Sequence, residues 1–171
     1  GDGDADLFVG STSSGGGTLW LNQGSTPLLT TFERSACFFE PAISYRPSSD
    51  MAIFGDYDGD GDLDLWYGSG AWGSESPNHF YQNLGHGRFV RELVNVPLVT
   101  RSVSTWGGAF ADMDNDGDVD FLECGPELQF WENDAVGGGT FARETFGPIP
   151  NDKSDSEGGA WLDVDNDVHL D

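Results

Sequence analysis

One acidic cassette recurs along the chain at long, nearly constant intervals. GDYDGDGDLDLWYG at 55–68 returns as ADMDNDGDVDFLEC at 111–124 and, shortened, as LDVDNDVHLD at 162–171. The first aspartates stand at Asp56, Asp112 and Asp163, periods of 56 and 51 residues. The opening GDGDADLFVG is the same cassette without its first positions, 58 residues ahead of its equivalent in the next copy. Self-similarity at such a period marks an array of structural units, each of which buries its apolar face against its neighbours.

The flanks repeat with the loops. Short apolar segments, MAIFG, GGAFA and GGAWL, precede the complete loops, and DLFVG, DLWYG and DFLEC follow the first three. Next comes an aromatic segment ending in asparagine: TLWLN (18–22), HFYQN (79–83) and QFWEN (129–133). A turn and a phenylalanine then follow (Phe32, Phe89, Phe141), with 24, 23 and 22 residues from that ring to the next loop's first aspartate. Each period therefore holds four strand candidates separated by Gly, Asn and Asp turns. With 25 glycines and 8 prolines, helical patterning has little room. The expected fold is all-β: four-stranded antiparallel sheets, one per period, as in propeller blades. The repeats are placed at about 1–50, 51–106 and 107–158, with a further one starting at 159–171.

Charge follows the same periodicity. Thirty acids face seven Lys plus Arg, a net charge of −23. Seventeen of those acids fall in four clusters: Asp2, Asp4 and Asp6; Asp56, Asp58, Asp60, Asp62 and Asp64; Asp112, Asp114, Asp116, Asp118 and Asp120; and Asp163, Asp165, Asp167 and Asp171. Carboxylates that dense repel one another unless a cation sits among them, and hard divalent cations take oxygen ligands. The balance argues against a nucleic-acid partner, since little could neutralise phosphates. It argues equally against an anionic membrane surface, and no run is long enough for direct membrane insertion. Disorder is excluded by a 37% hydrophobic content with 22 aromatic residues.

Residues 112–123, DMDNDGDVDFLE, also match the calcium loop of an EF-hand, with Glu123 in its twelfth position. An EF-hand loop is entered and left by helices, whereas STWGGAFA and CGPELQFWEN flank this one. Those segments are poor helix material, and the sister loop carries Tyr67 at the twelfth position. The expectation is a loop between strands, with Glu123 in the following strand and turned away from the loop.

The loop, the preceding apolar strand and the downstream aromatic–Asn…Gly…Phe stretch together resemble FG-GAP/VCBS repeats, the blades of integrin-α-like β-propellers. FGDYDGDGDLDLWYG…NHFYQNLGHGRF carries the likeness best, and it extends over nearly the whole chain. The resemblance implies a Ca²⁺ ion in the hairpin between the first two strands of each blade. Carried over by position, Asp56, Asp58, Asp60 and Asp64 would bind through side chains and Asp62 through its carbonyl. Asp112, Asp114, Asp116 and Asp120 would do the same, with Asp118 giving the carbonyl. In the last loop the set is Asp163, Asp165, Asp167 and Asp171, with His169 at the carbonyl position. That third site is expected to be weaker, because Val168 replaces the turn glycine. The opening loop keeps Asp2 and Asp6 but lacks the first three positions. Independently of the likeness, Gly59 and Asn115 suit the left-handed backbone of such a turn.

About three blades do not close a ring, so the sequence is expected to be a fragment of a larger propeller, or else an open array packed against further blades or a neighbouring subunit. The function implied is a non-catalytic binding or scaffold module recognising a protein or glycan. The expected location is extracellular, at the cell surface or in a secretory lumen. A structural accessory subunit of a large assembly is the alternative, and a carboxylate- or metal-dependent hydrolase a lesser one. His79, His86 and His169 are scattered, and Glu123, Glu127 and Glu132 are explained by strands and turns. Of the aromatics Trp20, Trp66, Tyr67, Trp72, Phe80, Tyr81, Trp106, Trp131 and Trp161, most are expected between blades, with Trp72 the best exposed sugar platform. Cys37 and Cys124 fit either a disulfide or two buried thiols.

Overall fold

The computed structural model describes residues 4–9, 18–26, 29–34, 38–40, 51–68, 78–92, 104–134, 140–144, 156–165 and 167. Among them there are strands and turns and no helix. The first sheet joins β1 (Leu7–Val9), β2 (Thr18–Thr26) and β3 (Leu29–Arg34) as an antiparallel meander. The second runs β5 (Met51–Gly55), β6 (Asp64–Gly68), β7 (His79–Asn83) and β8 (Arg88–Glu92), again antiparallel. The third repeats that order with β9 (Gly107–Ala111), β10 (Asp120–Cys124), β11 (Gln129–Asp134) and β12 (Thr140–Glu144). In the second and third sheets the acidic loop connects the first two strands, and the aromatic–Asn segment forms or lies within the third. In the first sheet the acidic stretch precedes β1, and TLWLN lies within β2. The expected four-strand unit is thus present in full in the second and third sheets.

Two elements differ from the expectation. The second sheet has a fifth strand, β4 (Phe38–Glu40), which pairs parallel to β8. It covers the edge that β8 would otherwise leave with unpaired backbone groups. The segment GGAWL, expected as a strand, joins no ladder; the residues that would pair with it lie outside those described. It runs instead along the third sheet, where Ser156 donates its N–H to Gly125 O at 2.9 Å and the Trp161 ring stands 6.0 Å from Phe130.

The middle sheet is packed on both faces, which explains why all of DLWYG is buried. Strand alternation sends Leu65 and Tyr67 to one side and Trp66 to the other. On the first side they meet Leu19, Tyr81 and Phe89, with Phe8, Leu21 and Phe54 against them. On the other, Trp66 packs with Tyr57, Phe80, Phe121, Trp131 and Phe141. Trp66 and Phe121 stand 4.9 Å apart, and Phe110 and Phe121 4.7 Å. The first strands of the second and third sheets approach so closely that a Cβ on Gly55 would lie 2.5 Å from the Phe110 ring. Most of the aromatics thus fill the space between sheets, as their number implied: Trp66, Tyr67, Phe80, Tyr81 and Trp131 are buried. Trp20, Trp106 and Trp161 are half-buried, and Trp72 lies outside the described residues.

Candidate metal centres at the hairpin tips

In the second sheet the chain leaves β5 at Gly55 and returns into β6 at Asp64, so the acidic residues form a hairpin tip. The turn closes through left-handed backbone at Gly59 (φ 72°) and Gly61 (φ 91°). Asn115 (φ 63°) and Gly117 (φ 104°) do the same between β9 and β10, so the third sheet uses Asn115 where the second uses glycine.

This folding brings Asp56, Asp58 and Asp64 together, with one carboxylate oxygen from each within 4.8 Å of the others. Asp112, Asp114 and Asp120 make the equivalent group, and Asp163, Asp165 and Asp167 a third. Asp60 and Asp116 lie outside the first two trios; their Oδ1 atoms accept from Asp62 N at 2.8 Å and Asp118 N at 3.2 Å, stabilising the turn. In the third loop Asp167 N donates to Asp163 Oδ1 at 3.1 Å and Asp165 Oδ1 at 3.2 Å. Asp116 N makes the same bonds to Asp112 and Asp114, each at 3.1 Å. His169, Asp171, Val168 and Asp2 lie outside the described residues.

The trios suit a cation. Three carboxylates this close repel by roughly 3 kcal/mol per pair at the effective dielectric of a protein surface. Asp56 Oδ2 accepts from Gly61 N at 3.0 Å, while its buried Oδ1 has no hydrogen-bond partner among the described residues. A buried carboxylate oxygen without a donor is costly unless a cation supplies the missing contact. Gln82 Nε2 holds Asp58 from the side by donating to Oδ2.

Asp64 and Asp120 add a feature that loop spacing does not disclose. Both are fully buried, and both carboxylate oxygens accept backbone N–H groups. Asp64 takes Tyr57 N at 3.1 Å and Asn83 N at 2.7 Å; Asp120 takes Met113 N at 2.8 Å and Asn133 N at 2.9 Å. Each therefore ties the start of its loop to the end of the third strand. The asparagine reciprocates: Asn83 Nδ2 donates to Leu63 O at 3.0 Å, and Asn133 Nδ2 to Val119 O at 3.1 Å. The first sheet carries the same clasp, with Asn22 N on Asp6 Oδ1 at 2.8 Å and Asn22 Nδ2 on Ala5 O at 3.1 Å. Burial pushes the Asp64 carboxyl up to about 7 although two backbone donors pull it down. Asp120 is raised for the same reason. The recurring terminal Asn of the aromatic segment was the signal for this clasp.

Glu123 belongs to β10, clear of the trio, as the strand reading required. Its Oε1 accepts from Thr105 Oγ1 at 2.7 Å and Asn78 Nδ2 at 3.0 Å, and its Oε2 from Trp131 Nε1 at 3.1 Å. These bonds join the second and third sheets beside a cleft of about 260 Å³ that Glu127 and Gln129 also line. Cys124 is a buried free thiol, and Cys37 lies outside the described residues.

Sheets of this order, two of them with an acidic tip between their first two strands, define a repeat protein built of propeller-like blades. The FG-GAP-like repeat model matches residues 1–67 and again 56–123, and the chain belongs to that family. No curated protein and no solved structure matches it.

Proposed function

We propose that the chain is a calcium-stabilised, non-catalytic binding or scaffold module. Its aspartate trios would hold the ions: Asp56, Asp58 and Asp64 in one site, Asp112, Asp114 and Asp120 in a second. Asp60, Asp62, Asp116 and Asp118 complete the sets expected from the family pattern. Asp163, Asp165 and Asp167, with His169 and Asp171, form the third and weaker site. Calcium would supply positive charge at the hairpin tip, relieving carboxylate repulsion and locking two strands of each blade. The observation that carries this reading is the buried Oδ1 of Asp56, with no donor among the described residues, inside a group of three clustered carboxylates.

FG-GAP-like repeats are typical of non-enzymatic proteins and of extracellular ones. No helix among the described residues is long and apolar enough to cross a membrane. Extracellular calcium modules bind at ~10⁻⁴–10⁻³ M, a range met outside cells and in secretory lumens. The chain's partner would be a protein or a glycan, and the charge of −23 argues against nucleic acid.

Melting the chain with and without EGTA tests the calcium reading. A ligand in hundredfold excess over Kd stabilises by about 2.7 kcal/mol per site. Two sites then raise Tm by roughly 10–20 °C. An unchanged Tm on chelation contradicts the proposal.

A further inference from the structure

We propose that Tyr67, His79 and Arg91 form a binding site for a small oxyanion, a carboxylate or a sulfate, on the face of the second sheet turned towards the first. Three buried polar atoms, Tyr67 Oη, His79 Nδ1 and Arg91 Nε, have no hydrogen-bond partner among the described residues. Strand register gathers them. Tyr67 on β6 stands opposite His79 on β7, and Tyr81, two residues along the same face, stands opposite Arg91 on β8. Directly opposed side chains lie about 5 Å apart at Cβ, as for Tyr67 and His79. His79 and Arg91 are diagonal neighbours across β7–β8, and Tyr67 and Arg91 flank β7 from either side, within reach of one another only through their long side chains.

The ligand chemistry follows from the donors. Tyr67 offers a hydroxyl, Arg91 an N–H on a permanent cation, and neutral His79 an N–H as its Nδ1 tautomer. Burial, reinforced by the Arg91 charge, holds His79 neutral down to about 4. Tyr67 and His79 are 1% and 4% exposed, so neither is satisfied by bulk water. The Phe8 ring fixes the tyrosine edge-on at 6.1 Å. In a chain with thirty acids and seven bases, Arg91 has no carboxylate partner among the described residues. N–H and O–H donors sharing one sheet face with a guanidinium match an oxyanion, which accepts at every oxygen. Arg91 is half-buried and so the most accessible of the three, while Tyr67 and His79 are enclosed, which suits a ligand of few heavy atoms. The assignment is independent of the cation reading, since none of the three residues belongs to a hairpin tip.

The test uses the full chain in calcium-containing buffer at constant ionic strength, titrated with sodium acetate and separately with sodium sulfate, with chloride as control. Tm and the His79 imidazole NMR signals are followed. A saturable rise in Tm, with a matching shift of the His79 signals, is expected for at least one anion, and the stronger of the two tells planar from tetrahedral. Arg91→Gln should abolish the response. Tyr67→Phe, which keeps the ring in its packing, should weaken the affinity about tenfold. Responses no larger than with chloride, or undiminished in Tyr67→Phe and Arg91→Gln, overturn the site.

Discussion

Asn133 and Asp120 grip one another across the β10–β11 pair. The Asn133 backbone N–H donates to Asp120 Oδ1 at 2.9 Å, and its side-chain amide donates to Val119 O beside that aspartate. The same amide reaches Tyr57 O at 2.7 Å, in the acidic loop of the preceding sheet. One asparagine thereby couples the tip of its own hairpin to that of its neighbour, and a repeat of separate sheets becomes a connected row.

Asn133→Ala should therefore cost more than Asn83→Ala. Each loses a side-chain bond to its own hairpin, worth roughly 0.5–1.5 kcal/mol where the acceptor is left near water. Asn133→Ala also removes a buried hydrogen bond to the Tyr57 carbonyl, worth roughly 1–3 kcal/mol. Urea melts of the two variants in calcium measure the difference, and equal destabilisation would contradict a bridging role.

Glu123→Gln distinguishes the hairpin loop from an EF-hand. In the structure this carboxylate accepts from Thr105, Asn78 and Trp131, all donors, so an amide puts N–H groups against N–H groups. Stability should fall by roughly 1–3 kcal/mol, while the number of calcium ions bound stays the same. Loss of one ion in a calcium titration of this variant would restore Glu123 as a ligand.

Gly55→Ala tests the contact between neighbouring blades. The added methyl meets the Phe110 ring, and overpacking of this kind costs roughly 1–3 kcal/mol. Phe110→Leu should recover part of that loss in the double variant. A thermodynamic cycle showing no coupling would place the two strands farther apart than the structure has them.

The pH profile should carry a mark of His79. Burial first, then the Arg91 charge, lowers it from 6.5 to about 4. The folded state thus favours the neutral imidazole, while the unfolded chain takes up a proton from about pH 6.5 downwards. Its contribution is intact above 6.5 and lost as pH falls towards 4, by as much as roughly 3 kcal/mol. His79→Gln should flatten the slope of unfolding free energy in that window, measured with calcium saturating. A slope identical to that of the unsubstituted chain would contradict the buried neutral form.

Much of this arrangement is legible in the sequence because it is local. Alternate aspartates closed by Gly59 and Gly61, or Asn115 and Gly117, specify a tight loop, and CGP after Glu123 excludes a following helix. The apolar LWYG that follows Asp64 suits the strand that the structure buries on both faces. What escaped the reading depends on residues meeting across strands. Asp64 and Asn83 are 19 positions apart and find each other only through the β6–β7 register. That one oxygen each of Asp60 and Asp116 accepts a loop N–H is set by chain direction at the tip. The parallel attachment of β4 depends on a free edge at β8, which no local pattern encodes.

Calcium titration of the chelator-stripped chain by calorimetry tests the central claim most directly. The account predicts at least two ions per chain at ~10⁻⁴–10⁻³ M, with one lost in Asp58→Ala and one in Asp114→Ala. Heats indistinguishable from dilution into buffer, or a stoichiometry unmoved by both substitutions, would contradict it.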